Sequence, residues 1–225
     1  MRVCAIDVGT NTVMSVVADV GDGVLEVVAD EERFARLGQG VDANRRLADE
    51  AMDRVVDRLA GALATAERLN ADRVVIGATS ASRDASNVGV LQDRVRHELG
   101  LDYRVISGEE EAAASFAGAL ALLPALEAAL VLDIGGGSTE VARGTRIEGV
   151  TARQSVDIGS VRLTERHFST RPPDLDATRS ALEDARRIYR TVTVERGDDP
   201  LVATGSVGVL RAKLSGLEGG PVPRP

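Results

Sequence analysis

The chain has 225 residues, 44% of them apolar, and its 27 basic and 35 acidic side chains leave a formal net charge of −8. The apolar share excludes a disordered chain, and the length permits one large domain or two small ones. The negative balance excludes nucleic-acid binding through a basic face, so a bound polyanion must be held by backbone N–H groups, a few placed arginines or a divalent cation.

Residues 3–6 form an apolar strand that meets Asp7 too early for a signal peptide. Cys4 is the sole cysteine, which excludes an internal disulfide and a multi-cysteine metal site. With no run near the roughly 20 apolar residues of a membrane helix, a cytoplasmic protein without a membrane partner is expected. Gly9-Thr10-Asn11-Thr12 interrupts the first strand, residues 13–20 return as a second, and Gly21-Asp22-Gly23 signals a hairpin into a third at 24–29. Across 43–71, Leu47, Ala51, Val55, Leu59, Ala62, Ala66 and Leu69 recur at helical spacing and predict an amphipathic helix. A buried-type strand at 73–79, a helix over 88–99 stopped by Gly100, and a short strand at 103–106 follow. Ser107 and three glutamates then open an alanine-rich helix to about residue 123, closed by Pro124.

The second half starts as the first did. Residues 129–138 (ALVLDIGGGS) overlie residues 3–12 with a constant offset of 126, placing Asp133 on Asp7, Gly135 on Gly9 and Ser138 on Thr12. After the returning strand come a helix at 161–168, a Pro172-Pro173 break, a helix at 175–194, a strand at 201–204, a short helix to Leu214 and a loose Gly/Pro-rich end. The organisation predicted is two similar α/β halves, 1–123 and 124–225, the second one short.

One Asp-x-Gly loop is a weak signal, because most such loops are only turns. Two in register are stronger: a carboxylate at a strand end needs a cation or a donor. The small residues after it let backbone N–H groups and hydroxyls approach phosphate oxygens. Two such loops facing each other would grip a phosphate chain. Glu109 and Glu110 are explained by the helix macrodipole alone. Glu111, followed by Ala112 to Ala114, falls at the edge of the buried face, where a half-buried carboxylate could serve as a general base. Arg83, between a strand and a helix, suits an oxyanion, although surface arginines are usually only solvated. His97 and His167 read as surface groups.

Five motifs occur in a fixed order: Ala5 to Thr12 (AIDVGTNT), Ala78 to Ala85 (ATSASRDA), Ile106 to Ala112 (ISGEEEA), Leu132 to Glu140 (LDIGGGSTE) and Asp157 to Arg162 (DIGSVR). Together they resemble the exopolyphosphatase/guanosine pentaphosphate phosphatase family. The resemblance implies an α/β fold of two ribonuclease-H-like domains, shared with actin, heat-shock chaperones and sugar kinases, with the substrate between them. It also implies Mg²⁺-dependent removal of a terminal phosphoryl group from inorganic polyphosphate or a phosphorylated guanosine nucleotide, with no direct nucleic-acid partner. By the same resemblance Glu111 is the catalytic base, and Asp133 and Glu140 stand at the metal and the water. Asp7, Gly9, Thr10, Asn11 and Thr12, with Gly135, Gly136, Gly137, Ser138 and Thr139, form two phosphate loops, and Arg83, Gly159 and Gly205 belong to the substrate site. Two departures accompany it. Val209 stands where relatives have a threonine, and relatives continue well past this point. An incomplete second domain is therefore expected, completed in a homodimer, with a catalytically weak phosphate-chain-binding protein as the alternative reading.

Overall fold

The computed structural model describes residues 1–21 and 24–205. Val209, the helix expected to reach Leu214 and the Gly/Pro-rich end lie outside the described residues. The chain divides into two compact units, Met1–Ser107 and Gly108–Pro225.

The first unit is built on a five-stranded sheet. β1 (Arg2–Val8), β2 (Thr12–Gly21) and β3 (Val24–Phe34) run antiparallel to one another in sequence, and β4 (Arg73–Ala78) and β5 (Tyr103–Val105) add parallel strands, giving the order β3-β2-β1-β4-β5. Alternation along β1 buries Cys4, Ile6 and Val8 and turns Ala5 and Asp7 outward. The buried face is covered by α2 (Asp49–Arg68) and α4 (Val88–Leu99), whose Ala51, Val55, Leu59, Leu91 and Val95 join the same core. Two short helices, α1 (Val41–Asn44) and α3 (Ser80–Asp84), were not predicted.

Two boundaries differ from the periodic pattern. The stripe beginning at residue 43 becomes helical only at Asp49. Arg45 takes a left-handed conformation, φ 54°, and the Asn87 side chain pairs with both backbone groups of Leu47, at 2.8 and 3.0 Å. Leu47 is buried all the same, so the apolar spacing was real while the helix was not. β3 runs on through Asp30-Glu31-Glu32-Arg33, because an edge strand paired only to β2 tolerates charge on its open face.

The second unit repeats the plan, with four strands among its described residues: β6 (Ala128–Ile134), β7 (Thr139–Thr145), β8 (Gly149–Val156) and β9 (Leu201–Thr204), ordered β8-β7-β6-β9, with β9 parallel to β6. β8 is a strand the sequence reading passed over. Its helices are α5 (Gly108–Leu122), α6 (Ser160–His167) and α7 (Leu175–Tyr189), the last five residues shorter than predicted. α6 and α7 are clasped by Asp184, which accepts from Arg166 and His167 at 3.3 Å each.

Helix α5 packs within this second unit. Ala112, Phe116, Ala119 and Leu120 form one buried cluster with Ala129, Val131 and Ala142 of β6 and β7. The Arg146 guanidinium, from the β7–β8 turn, donates to the carbonyls of Leu120, Leu123 and Leu126 at 2.8–3.0 Å. Packing thus divides the chain after Ser107, ahead of the 123/124 division expected from Pro124, and Glu111 is grouped with Asp133 and Glu140. Among the described residues no helix is long and apolar enough to cross a membrane.

Candidate active site

The two Asp-x-Gly loops are the same structure twice. In the first unit Asp7 pairs with Met14 and Val8 with Val13, and the Gly9 N–H closes the turn on the Thr12 carbonyl at 2.9 Å. In the second, Asp133 pairs with Glu140 and Ile134 with Thr139, and the Gly135 N–H closes on Ser138 at 3.0 Å. Each partner is displaced by the offset of 126 read from the sequence.

Around the first loop, the Asn11 carbonyl accepts from the N–H groups of Ala35 and Arg36 at 3.0 and 2.8 Å, and the Thr10 carbonyl accepts from Gly38 at 2.8 Å. With these carbonyls engaged, the turn is pinned by the segment after β3. Asp7 is exposed, Thr10 is buried, and Gly9, Asn11 and Thr12 lie between. Arg83, in α3, donates to the Ile106 carbonyl at 3.1 Å, which ties it to the end of β5.

The second loop is pinned more firmly. The carbonyls of Gly135 and Gly136 accept from the first N–H groups of α6: Ser160 reaches Gly135 at 3.0 Å, and Val161 and Arg162 reach Gly136 at 2.8 and 3.1 Å. Arg162, only 5% exposed, donates through Nε to the Gly137 carbonyl at 2.7 Å. Gly159 makes this docking possible: a Cβ there would lie 2.4 Å from the carbonyl carbon and oxygen of Gly136. Thr139 is fully buried and donates its hydroxyl to the Ile158 carbonyl at 2.7 Å, while the Tyr189 hydroxyl lies 3.1 Å away. Gly159, Arg162 and the Thr139 hydroxyl are therefore fasteners of the loop, and the Thr139 proton is already committed.

A row of polar residues crosses the second sheet. Strand register sets Ser155, Glu140, Asp133 and Thr204 side by side on β8, β7, β6 and β9. Two residues further along β6 and β7 in the same alternation, Val131 and Ala142 pack under the body of α5. The polar row thus continues the helix-facing side of the sheet. Glu111 and Ser115, one helical turn apart, each precede a buried residue of α5 and so border its packed face. The Ser115 hydroxyl donates to Asp133 Oδ2 at 2.5 Å.

Glu140 is 2% exposed, and its Oε1 accepts from the Ser155 hydroxyl at 2.7 Å. Burial, and next the charge of Glu111, push its carboxyl up to about 8; hydrogen bonds from Ser155 and Ser138 oppose the rise and the Asp133 charge adds to it. Glu111, Asp133 and Glu140 therefore form one electrostatic cluster. Among the described residues no group of three His, Cys, Asp or Glu side chains is placed to hold a metal ion. Gly205, at φ 77°, closes the far side: a Cβ there would fall 2.9 Å from Asp133 Oδ1 and 2.4 Å from the Ile134 carbonyl oxygen. Among the described residues the Thr204 hydroxyl is buried without a hydrogen-bond partner. Ser115, Ser155 and Thr204 were missed by the sequence reading. Only Ser115 carried a signal, as the one polar side chain between Ala112 and Leu122.

Two sheets with this order of strands, two matching Asp-x-Gly turns and one carboxylate cluster agree with a match over residues 16–216 to the model of the Ppx/GppA phosphatase family, and the chain belongs to that family. A protein named Exopolyphosphatase 2 in Mycobacterium tuberculosis is 40% identical over 225 residues, covering 94% of this chain and 70% of that one. A Guanosine-5'-triphosphate,3'-diphosphate pyrophosphatase of Vibrio atlanticus is 37% identical over 187 residues, covering 81% of this chain and 36% of its own length. Among solved structures, an exopolyphosphatase-like protein matches with a TM-score of 0.84 and 35% identity, covering 96% of this chain and 70% of that one. The Aquifex aeolicus family member matches at 0.76 and 28%, covering 98% of this chain and 72% of its own.

Proposed function

We propose that this phosphoanhydride hydrolase removes terminal phosphoryl groups from inorganic polyphosphate, with Glu111 as the general base. The observation that carries the reading is the convergence of Glu111, Asp133 and Glu140 on one side of the second sheet, at the end of the loop whose carbonyls are all tied inward. The family membership and the M. tuberculosis relative named an exopolyphosphatase support it.

The donor set suits Mg²⁺. It is oxygen only, and a Mg²⁺ site needs no more than one or two carboxylates when water and substrate phosphates supply the rest. Asp133 keeps one carboxylate oxygen outside its bond to Ser115, and the Thr204 hydroxyl beside it has no hydrogen-bond partner among the described residues, which supports a site that a ligand would complete. Asp133 would hold the ion directly, with Glu140 as the second carboxylate once a nearby cation draws off its proton. Bound there, the ion would neutralise charge on the phosphoryl oxygens.

The chain's own groups do the remainder. Glu111, half-buried at the first turn of α5, takes the proton from the attacking water, and the bond formed is from water oxygen to phosphorus as the bridging P–O bond breaks. The Gly135–Ser138 turn, fixed by Arg162 and the start of α6, supplies backbone N–H groups for phosphate oxygens. A second reading, guanosine pentaphosphate as the substrate, is favoured by the Vibrio relative.

The test is phosphate release from long-chain polyphosphate with Mg²⁺, run beside guanosine pentaphosphate and ATP, for the native chain and Glu111→Gln. A fall in kcat of about 10²–10⁴-fold in the variant is expected. Equal rates would remove Glu111 from the chemistry, and faster release from the guanosine nucleotide would exchange the two readings.

A further inference from the structure

Asp133 stands near the end of β6, paired across the sheet with the buried Glu140. Its position is set from outside the sheet. The Ser115 hydroxyl donates to Oδ2 at 2.5 Å, within the short range of an O–H···O⁻ bond. On the other flank Gly205 leaves room for Oδ1 only because it lacks a Cβ.

Ser115 also sits one helical turn after Glu111. The rigid rise of α5, held at its far end by Arg146 and along its length by Phe116 and Leu120, therefore fixes the proposed base and the Asp133 carboxylate by one span of helix. No other side chain between Ala112 and Leu122 is able to hydrogen-bond, so this contact is the polar tie from the body of the helix to the sheet.

We propose that Ser115 is a positioning residue, whose hydroxyl orients the Asp133 carboxylate for cation binding and sets it against Glu111. The inference rests on the hydrolase reading above for its consequence in turnover, and on geometry alone for its consequence in metal affinity. Hydrogen-bond partners of ligating carboxylates typically contribute 10–100-fold to metal affinity or activity.

The experiment compares the full chain with Ser115→Ala and Ser115→Thr. Alanine favours a helix, so the first variant is expected to fold, and circular dichroism verifies this. Mn²⁺ binding without substrate is read by electron paramagnetic resonance, and kcat and KM for polyphosphate are read against Mg²⁺ concentration. Ser115→Ala is expected to weaken Mn²⁺ binding and lower kcat by about 10–100-fold each, with KM for the phosphate chain nearly unmoved. Ser115→Thr is expected to restore most of both. Native Mn²⁺ affinity in Ser115→Ala overturns the inference, as does a loss that threonine fails to restore or a native chain that binds no Mn²⁺. A native chain that binds Mn²⁺ yet releases no phosphate overturns the hydrolase reading instead, and Ser115 is then judged on metal affinity.

Discussion

Below about pH 8 the Glu140 carboxyl keeps its proton, since burial and the neighbouring charge of Glu111 both penalise the anion. A glutamate in the unfolded chain titrates near 4.3. Between those values the native state binds more protons than the unfolded one, so stability falls as pH rises from about 5 to about 8, by on the order of 3 kcal/mol. Glu140→Gln retains the shape without the titration. Its melting temperature should match the native chain near pH 5 and exceed it by a widening margin toward pH 9, measured without divalent cations; a margin constant in pH would refute the assignment. The hydrogen bonds from Ser155 and Ser138 stay available to the amide oxygen, which keeps the substitution conservative.

Among elements, α5 shows how one side chain fastens the end of a helix whose apolar face is already packed. Arg146 fills three carbonyl acceptors at the C-terminal end of α5 and the turn that follows. Arg146→Ala should cost about 1–3 kcal/mol in urea unfolding and Arg146→Lys should recover only part, because an ammonium lacks the guanidinium's planar fork. Fully native stability in Arg146→Ala would show the cap to be idle. The same helix marks the limit of sequence reading. Ala112 to Ala114 announced a buried face beside Glu111, and Pro124 a break, but which sheet that face meets is a long-range fact. Strands β1, β2, β4 and β6 were legible because apolar runs with buried residues announce themselves. β8 was passed over because its exposed and half-buried residues, such as Thr151, Arg153 and Ser155, break the apolar run. At the site, Glu111, Asp133 and Glu140 were named from motifs and do form one cluster. Ser155 and Ser115 were not, since their partners lie 15 and 18 residues away and are reached only through strand register and helix packing.

For the molecule as a whole, a net charge of −8 repels a phosphate chain at long range. Backbone N–H groups and a few arginines act only at contact, so divalent cation is expected to govern affinity. Titration calorimetry with a short polyphosphate should show binding with Mg²⁺ and at least about tenfold weaker binding with a chelator present, which corresponds to about 1.4 kcal/mol. Undiminished binding in the chelator would assign recognition to the protein's own groups alone.

The doubled turn has one more consequence. In the first unit the cross-strand row through Asp7 reads Glu32, Met14, Asp7 and Gly77, with Met14 exposed where its counterpart holds a glutamate. The same strand pairing has thus been furnished differently in its two occurrences: one sets Glu140 beside Asp133, and the other sets Met14 beside Asp7, with Glu32 beyond it. A protein engineer inherits from this a twin frame, onto which a glutamate at position 14 could be grafted and its worth weighed apart from the frame that bears it.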